Sequence, residues 1–336
     1  MTHRRTILAV LLGMTMAVTG CDKRTEQPAK ARHLRIGIVA KSLGNTFFDA
    51  VHQGADEAAT SLDAEVIFTG PTTPTAEGQI EVINALIAQR VDAIAVSAND
   101  PDALVPSLQR AMQKGIKVLS YDSAVARPGR IVHLAPASDQ LIGQTCVQLA
   151  AELTHEARGK FAVLSASAVS TNQNDWLAAI RAALPEYPGL NLVSVAYGDD
   201  VADKSYDATL ALIEQHPDLS VIVAISSVAI VAAARAVDDQ GLSGRIRVTG
   251  LGMPSELADY VRRGVVPKFA IWNPVDLGYA ATQLAAHLVR GDQPSESPGI
   301  AIGRLGRVSF DSHGVGAMAS PLIYDASNVQ ASAKVF

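Results

Sequence analysis

The chain has 336 residues, 48% of them hydrophobic and 18% charged. It is too long for one compact core and too apolar for disorder, so two domains of ordinary size are expected. The formal net charge of −5 leaves no basic excess to neutralise a phosphate backbone, which argues against nucleic acid as a partner.

In chain order, Arg4 and Arg5 precede an apolar run over residues 7–18 that ends in Thr19-Gly20-Cys21. A basic start followed by a short apolar core predicts an export signal over residues 1–21, and the run is too short to predict a membrane span. Val18-Thr19-Gly20-Cys21 resembles the bacterial lipobox, which implies cleavage before Cys21 and its lipidation. Ordinary cleavage nearby is the alternative, and the export route, general secretory or twin-arginine, stays open. The only other cysteine, Cys146, then has no disulfide partner, and its apolar surroundings predict a buried structural thiol. Residues 22–33 carry no apolar periodicity and predict a solvated tether.

From residue 34 short apolar runs alternate with longer amphipathic ones, the pattern of repeated βα units in a parallel sheet. Strands are expected at 34–39, 65–69, 93–97, 117–121 and 131–134, with helices at 47–62, 75–89 and 101–114. Gly115 stands where a helix end wants left-handed backbone. After residue 137 the rhythm restarts. Helices are expected at 139–154, 174–184, 203–215 and 228–240, and strands at 161–165, 192–197, 221–224 and 247–251. A strand at 268–271, a helix at 277–290 and short β-like pieces at 301–310 suit a chain that crosses back between lobes.

In open parallel sheets a ligand binds beyond the carboxyl ends of the strands. Those positions carry Lys41 to Phe48, Asp122-Ser123, Thr171 to Trp176, Ser226-Ser227 and Trp272-Asn273. A sugar needs amides and carboxylates for its hydroxyls and an aromatic platform for its less polar face. Asp122, Asn172, Gln173, Asn273, Phe47, Phe48 and Trp272 supply both. Singly each also fits a helix N-cap or a core aromatic; as a set at five strand ends they predict a binding site.

No G-x-S-x-G, H-E-x-x-H, C-x-x-C or G-x-x-x-x-G-K-[ST] pattern occurs, and Gly250-Leu251-Gly252 lacks the third glycine of a dinucleotide fingerprint. The eight histidines, His52, His133, His155, His216 and His287 among them, show no ligand spacing. No enzyme, cofactor or metal site is expected.

Asn45-Thr46-Phe47-Phe48, Asp122 and the double sheet resemble the type I periplasmic sugar-binding family, typified by ribose-binding proteins, from residue 34 to 336. That family implies two doubly wound parallel-sheet lobes joined by a multi-crossing hinge, with a sugar lined by Asn45, Phe47, Phe48 and Asp122. The family's arginine beside the aspartate is Ser123 here, and its G-F-D aspartate is Gly252. A closer resemblance, carried by Ala40 to Gly44, Gly70-Pro71-Thr72, Gly78-Gln79 and Val96-Ser97-Ala98, is to the branch of rhamnose-binding and autoinducer-2-binding proteins. The autoinducer-2 pattern falls on Lys41, Asp122, Asn172 and Gln173, with an asparagine where that branch has its second aspartate. It also uses backbone where this chain has Ile225-Ser226-Ser227, while Trp272-Asn273-Pro274 looks like the rhamnose side.

The resemblance divides the chain into a first lobe, 34–136 with 272–305, and a second, 137–271 with 306–336. Lys41, Phe47, Phe48 and Asp122 then belong to the first, Asn172, Gln173 and Ser227 to the second, and Trp272 and Asn273 to a hinge crossing. It further implies a monomeric, membrane-anchored lipoprotein of the periplasm or cell envelope, closing on a sugar, foremost L-rhamnose. The closed form would deliver it to the membrane permease and ATPase of an ABC importer. Autoinducer-2 is the alternative ligand, and presenting the ligand to a chemoreceptor or kinase the alternative role. A transcription regulator would need a helix-turn-helix where residues 1–33 offer an export signal.

Overall fold

The computed structural model describes residues 33–154, 158–295 and 297–336. The expected export signal, Cys21 and the tether as far as residue 32 lie outside the described residues, as does His155.

The first lobe is laid down as β1 (Leu34–Val39), α1 (Thr46–Leu62), β2 (Ala64–Thr69), α2 (Ala76–Ala88), β3 (Ala93–Val96), α3 (Val105–Gln113), β4 (Lys117–Tyr121) and β5 (Val132–Ala135). The second follows as α4 (Asp139–Glu152), β6 (Gly159–Ser165), α5 (Thr171–Ala183), β7 (Leu190–Tyr197), α6 (Ala202–Gln215), β8 (Leu219–Ala224), α7 (Ser227–Asp239), β9 (Arg247–Gly250), α8 (Pro254–Arg262) and β10 (Phe269–Ile271). The chain then returns through α9 (Pro274–Arg290), β11 (Ile300–Ala301), β12 (Arg307–Val308), β13 (Val315–Ala317), β14 (Leu322–Tyr324) and α10 (Val329–Ser332).

The first sheet has the order β13-β5-β4-β3-β1-β2 and the second β7-β6-β8-β9, every neighbour parallel. Both strand orders reverse direction once: β1 lies between β2 and β3, and β6 between β7 and β8. Helices cover both faces, which is why the strands are apolar on both sides. Ile36 and Ile38 of β1 join the core that holds α1 and α9, while Val39, Ile94 and Val96 join the one under α2 and α3. Each such fully buried aliphatic side chain contributes about 1.5–3 kcal/mol.

Several expected elements shift. Asp100 Oδ1 accepts from Asp102 N and Ala103 N, both at 2.9 Å, and this turn keeps 101–104 out of α3. Helix α5 begins at Thr171, so Asn172 and Gln173 stand in its first turn rather than in a loop. Between 251 and 268 no element is expected from sequence, yet the nine residues of α8 form there behind Pro254, whose fixed φ suits a first helical turn. The tail also departs from the expected division, which put 306–336 wholly in the second lobe. Strand β13 instead extends the first sheet, Val315 pairing with His133, and only then does β14 cross to pair antiparallel with β10. Three residues, Val-Gly-Ala, held by main-chain bonds leave almost no hydrophobic pattern to read.

Cys146 is a free, buried thiol pushed up to about 12 by desolvation, and Gly115 has φ +85° beyond α3. His133 is buried with Nδ1 3.0 Å from Ser120 Oγ, and burial lowers its imidazole to about 3.

Helices α1 and α9 cross in close contact because each carries a glycine at the crossing. A Cβ on Gly54 would lie 1.8 Å from Val275 O, and one on Gly278 would lie 1.9 Å from Val51 O. Both contacts are with backbone, so no side chain can swing away. Gly54→Ala and Gly278→Ala are each expected to destabilise the first lobe by about 1–3 kcal/mol or more, measured as a lowered urea midpoint.

Candidate functional site

The carboxyl ends of the two sheets face one cleft of about 400 Å³ of empty space. From β1 and the start of α1 come Lys41, Asn45, Phe47 and Phe48, and from the end of β4 comes Asp122. Helix α5 brings Asn172, Gln173 and Trp176, the end of β8 brings Ile225, Ser226 and Ser227, and the end of β10 brings Ile271 and Trp272. Asp200 beyond β7 and Leu251 beyond β9 complete the lining.

Three polar side chains form one hydrogen-bonded unit across the lobes. Lys41 Nζ donates to Asn172 Oδ1 at 3.0 Å, and Asn172 Nδ2 donates to Asp122 Oδ1 at 3.2 Å. Ser97 Oγ donates to the other carboxylate oxygen, Asp122 Oδ2, at 2.7 Å. Burial pushes the Asp122 carboxyl above its ordinary range, while the Lys41 ammonium and the Ser97 hydroxyl pull it down. Asp122 also takes left-handed backbone, φ 56°, at the turn out of β4. A short polar side chain tolerates this conformation better than most, and such strain gathers at functional sites.

Around this unit further bonds join the lobes. Ser227 Oγ lies 3.4 Å from Asn45 Oδ1, Thr46 Oγ1 donates to Glu256 Oε1 at 3.0 Å, and Thr171 Oγ1 donates to Ala124 O at 2.8 Å. The lobes are therefore in a closed arrangement.

The aromatic part is a chain of edge-on rings. Phe48 and Phe47 have centroids 5.1 Å apart, Phe47 and Trp272 6.1 Å, and Trp272 and Trp176 5.5 Å. Such contacts are the favoured geometry between aromatic rings. Trp272 Nε1 is buried with no hydrogen-bond partner among the described residues.

Nine of the ten expected ligand residues thus line one cleft: Lys41, Asn45, Phe47, Phe48, Asp122, Asn172, Gln173, Ser227 and Trp272. Asn273 does not. Its Oδ1 accepts from Val275 N at 2.9 Å and Asp276 N at 3.4 Å, so the amide caps α9. Gln173, although in the lining, has its amide occupied: Oε1 accepts from Ser165 Oγ and Ala166 N, and Nε2 donates to Ile225 O. Asn45 similarly caps α1 by accepting from Phe47 N at 3.0 Å.

Sequence reasoning named Trp176, Ile225 and Ser226 at the strand ends without counting them among the ligand residues, and passed over Asp200, Leu251 and Ile271. Asp200 had a signal, since Gly198-Asp199-Asp200 follows a strand end as the named residues do. Trp176 lies on the buried face of α5. Among the described residues no group of three His, Cys, Asp or Glu is placed to hold a metal, and no helix is long and apolar enough to cross a membrane.

The chain matches the periplasmic binding protein domain over residues 36–293 and belongs to that family, the sugar-binding solute receptors of ABC transporters. Its homologues are periplasmic solute-binding proteins, not enzymes. The D-ribose/D-allose-binding protein of Pseudomonas aeruginosa is 25% identical over 305 residues, 87% of this chain and 92% of that protein. An ABC transporter solute-binding protein from Clostridium phytofermentas with bound L-rhamnose is 35% identical with TM-score 0.84, over 90% of this chain and 99% of that one. LsrB from Clostridium saccharobutylicum in complex with AI-2 shares the fold at TM-score 0.84 and 22% identity, over 89% and 99% of the two chains.

The Asp139 carboxyl accepts from Trp176 Nε1 at 2.9 Å and is raised to about 6, chiefly by desolvation and then by Asp175. The native state thus keeps a proton the unfolded chain has released, so stability falls as pH rises from about 4 to about 6 and is level above. Asp139→Asn is expected to remove up to about 2 kcal/mol of that decline, read from urea unfolding across the same pH range.

Proposed function

We propose that the chain is the receptor of an ABC importer for a neutral monosaccharide, foremost L-rhamnose, held between the lobes. The observation that carries this is the composition of the cleft: one cation and two carboxylates, Lys41, Asp122 and Asp200, with two indoles, two phenyl rings and the aliphatic Ile225, Leu251 and Ile271. Hydroxyls suit the charged corner and a sugar methyl suits the apolar lining. The 35% identity to the rhamnose-bound protein supports the same ligand.

In this reading Lys41 donates to ligand oxygens and Asp122 accepts from hydroxyls, with Asn172 between them. The rings of Phe47, Phe48 and Trp272 take the less polar face, and Asn45, Gln173 and Ser227 shape the loops that present these groups. The ligand favours the closed arrangement through contacts made only there. The protein works as a monomer tethered by lipid at Cys21, and its closed form docks on a permease served by an ATPase.

Calorimetric titration with L-rhamnose, D-ribose and autoinducer-2, after unfolding and refolding to strip carried-over ligand, tests the reading. Rhamnose is expected to bind with a Kd of about 1 μM or below. Binding of autoinducer-2 alone would make the protein a signal receptor, and silence from all three would refute the ligand assignment. Asp122→Ala is expected to weaken rhamnose binding about 30-fold or more, the loss of about 2 kcal/mol when a charged acceptor is removed. Unchanged affinity would take Asp122 out of the site.

A further inference from the structure

Asp139 opens α4, directly after the chain leaves β5 of the first sheet for the second lobe. The start of α4 is already capped, because Ser138 Oγ accepts from Leu141 N at 3.3 Å. The Asp139 carboxylate is used elsewhere: its Oδ1 accepts from Trp176 Nε1 on the neighbouring helix α5 at 2.9 Å. Trp176 is 3% exposed and lines the cleft with its ring edge-on to Trp272. The chain has only two tryptophans, and both stand in this lining.

An indole carries one hydrogen-bond donor. Fixing that N–H at the outer end selects one setting of the ring, and the ring contact passes the setting on to Trp272 and then to Phe47. We propose that Asp139 is a positioning residue for ligand binding, acting through the Trp176 indole to hold the aromatic lining in register. The proposal rests on the cleft being the sugar site. Keeping a carboxylate there works against desolvation, which raises it to about 6, with Asp175 of α5 facing it. A group retained against such a cost, beside a cleft, fits a positioning role better than a filling one.

The test uses the full chain and two readouts. In a Trp272→Phe background Trp176 is the only tryptophan, so folded-state emission and near-UV ellipticity report its surroundings without any ligand. Asp139→Asn keeps the acceptor and is expected to leave both signals, and L-rhamnose affinity, within about threefold of the parent. Asp139→Leu removes the acceptor and is expected to shift the emission and lower affinity about tenfold or more. If Asp139→Leu does not fold, Asp139→Ala takes its place. In a Trp176→Phe background, which lacks the N–H, the same change at 139 is expected to alter affinity less than about threefold. Unchanged emission in Asp139→Leu, or an equal loss of affinity with and without the indole, would overturn the proposal. Should none of the sugars bind even the parent, the functional reading falls, and the emission of the single-tryptophan proteins still decides whether Asp139 sets the ring.

Discussion

The contact of Asn172 with both Lys41 and Asp122 is what joins the chemistry of the first lobe to the second. A carboxamide can accept from an ammonium and donate to a carboxylate at once. A carboxylate at 172 would answer Lys41 but face Asp122 with like charge, and an apolar residue would leave two buried charges short of partners. The amide therefore lets a cation and an anion sit buried in one cleft while the lobes close. Asp122 bears most of the strain of that arrangement, being desolvated and held in left-handed backbone, and Ser97 compensates from β3 by donating to its free oxygen.

Behind the cleft each sheet solves the same problem in the same way. At a reversal of strand order the ends of two adjacent strands diverge, and their last carbonyls and amides need partners. In the first lobe Gln79 of α2 donates to Ala40 O and Ser97 O and accepts from Asn99 N, joining the ends of β1 and β3. In the second Gln173 of α5 accepts from Ser165 and Ala166 and donates to Ile225 O, joining β6 and β8. Two buried glutamines thus spend their amides on the scaffold that aims Lys41 and Ser227 into the cleft.

What the sequence made legible follows from this division of labour. The long parallel strands could be read to within a residue or two because both faces are buried, so runs such as Ala93–Val96 and residues 221–224 are continuous in apolarity. Strand β13 was not, since main-chain pairing rather than side-chain burial places it. Cleft residues at strand ends were legible by topology alone, but topology cannot tell an amide that lines the cleft from one that caps a helix. Asn273 and Asn172 follow similar elements, and only the course of the backbone sends the first to Val275 N and the second to Asp122. Trp176 stood in the strand-end run Thr171 to Trp176 without being counted a ligand residue, because a tryptophan on an inward helix face looks like core until the cleft beside it is known.

The hinge and the aromatic lining are built from the same stretches of chain. The crossing from β5 to α4 is bonded to the returning crossing after β13, Met318 N to Ala135 O at 3.1 Å and Ala319 N to Pro136 O at 2.9 Å. A further crossing, from β10 to α9, carries Trp272 at its first position and the Asn273 cap at its second. The crossing that precedes α4 ends at Asp139, which holds Trp176. Trp272 and Asp139 thus both stand at the ends of crossings between the lobes. If the rings take the ligand as proposed, linkage requires that a ligand contact made only in one lobe arrangement favours that arrangement, and that the arrangement in turn raises affinity for the ligand.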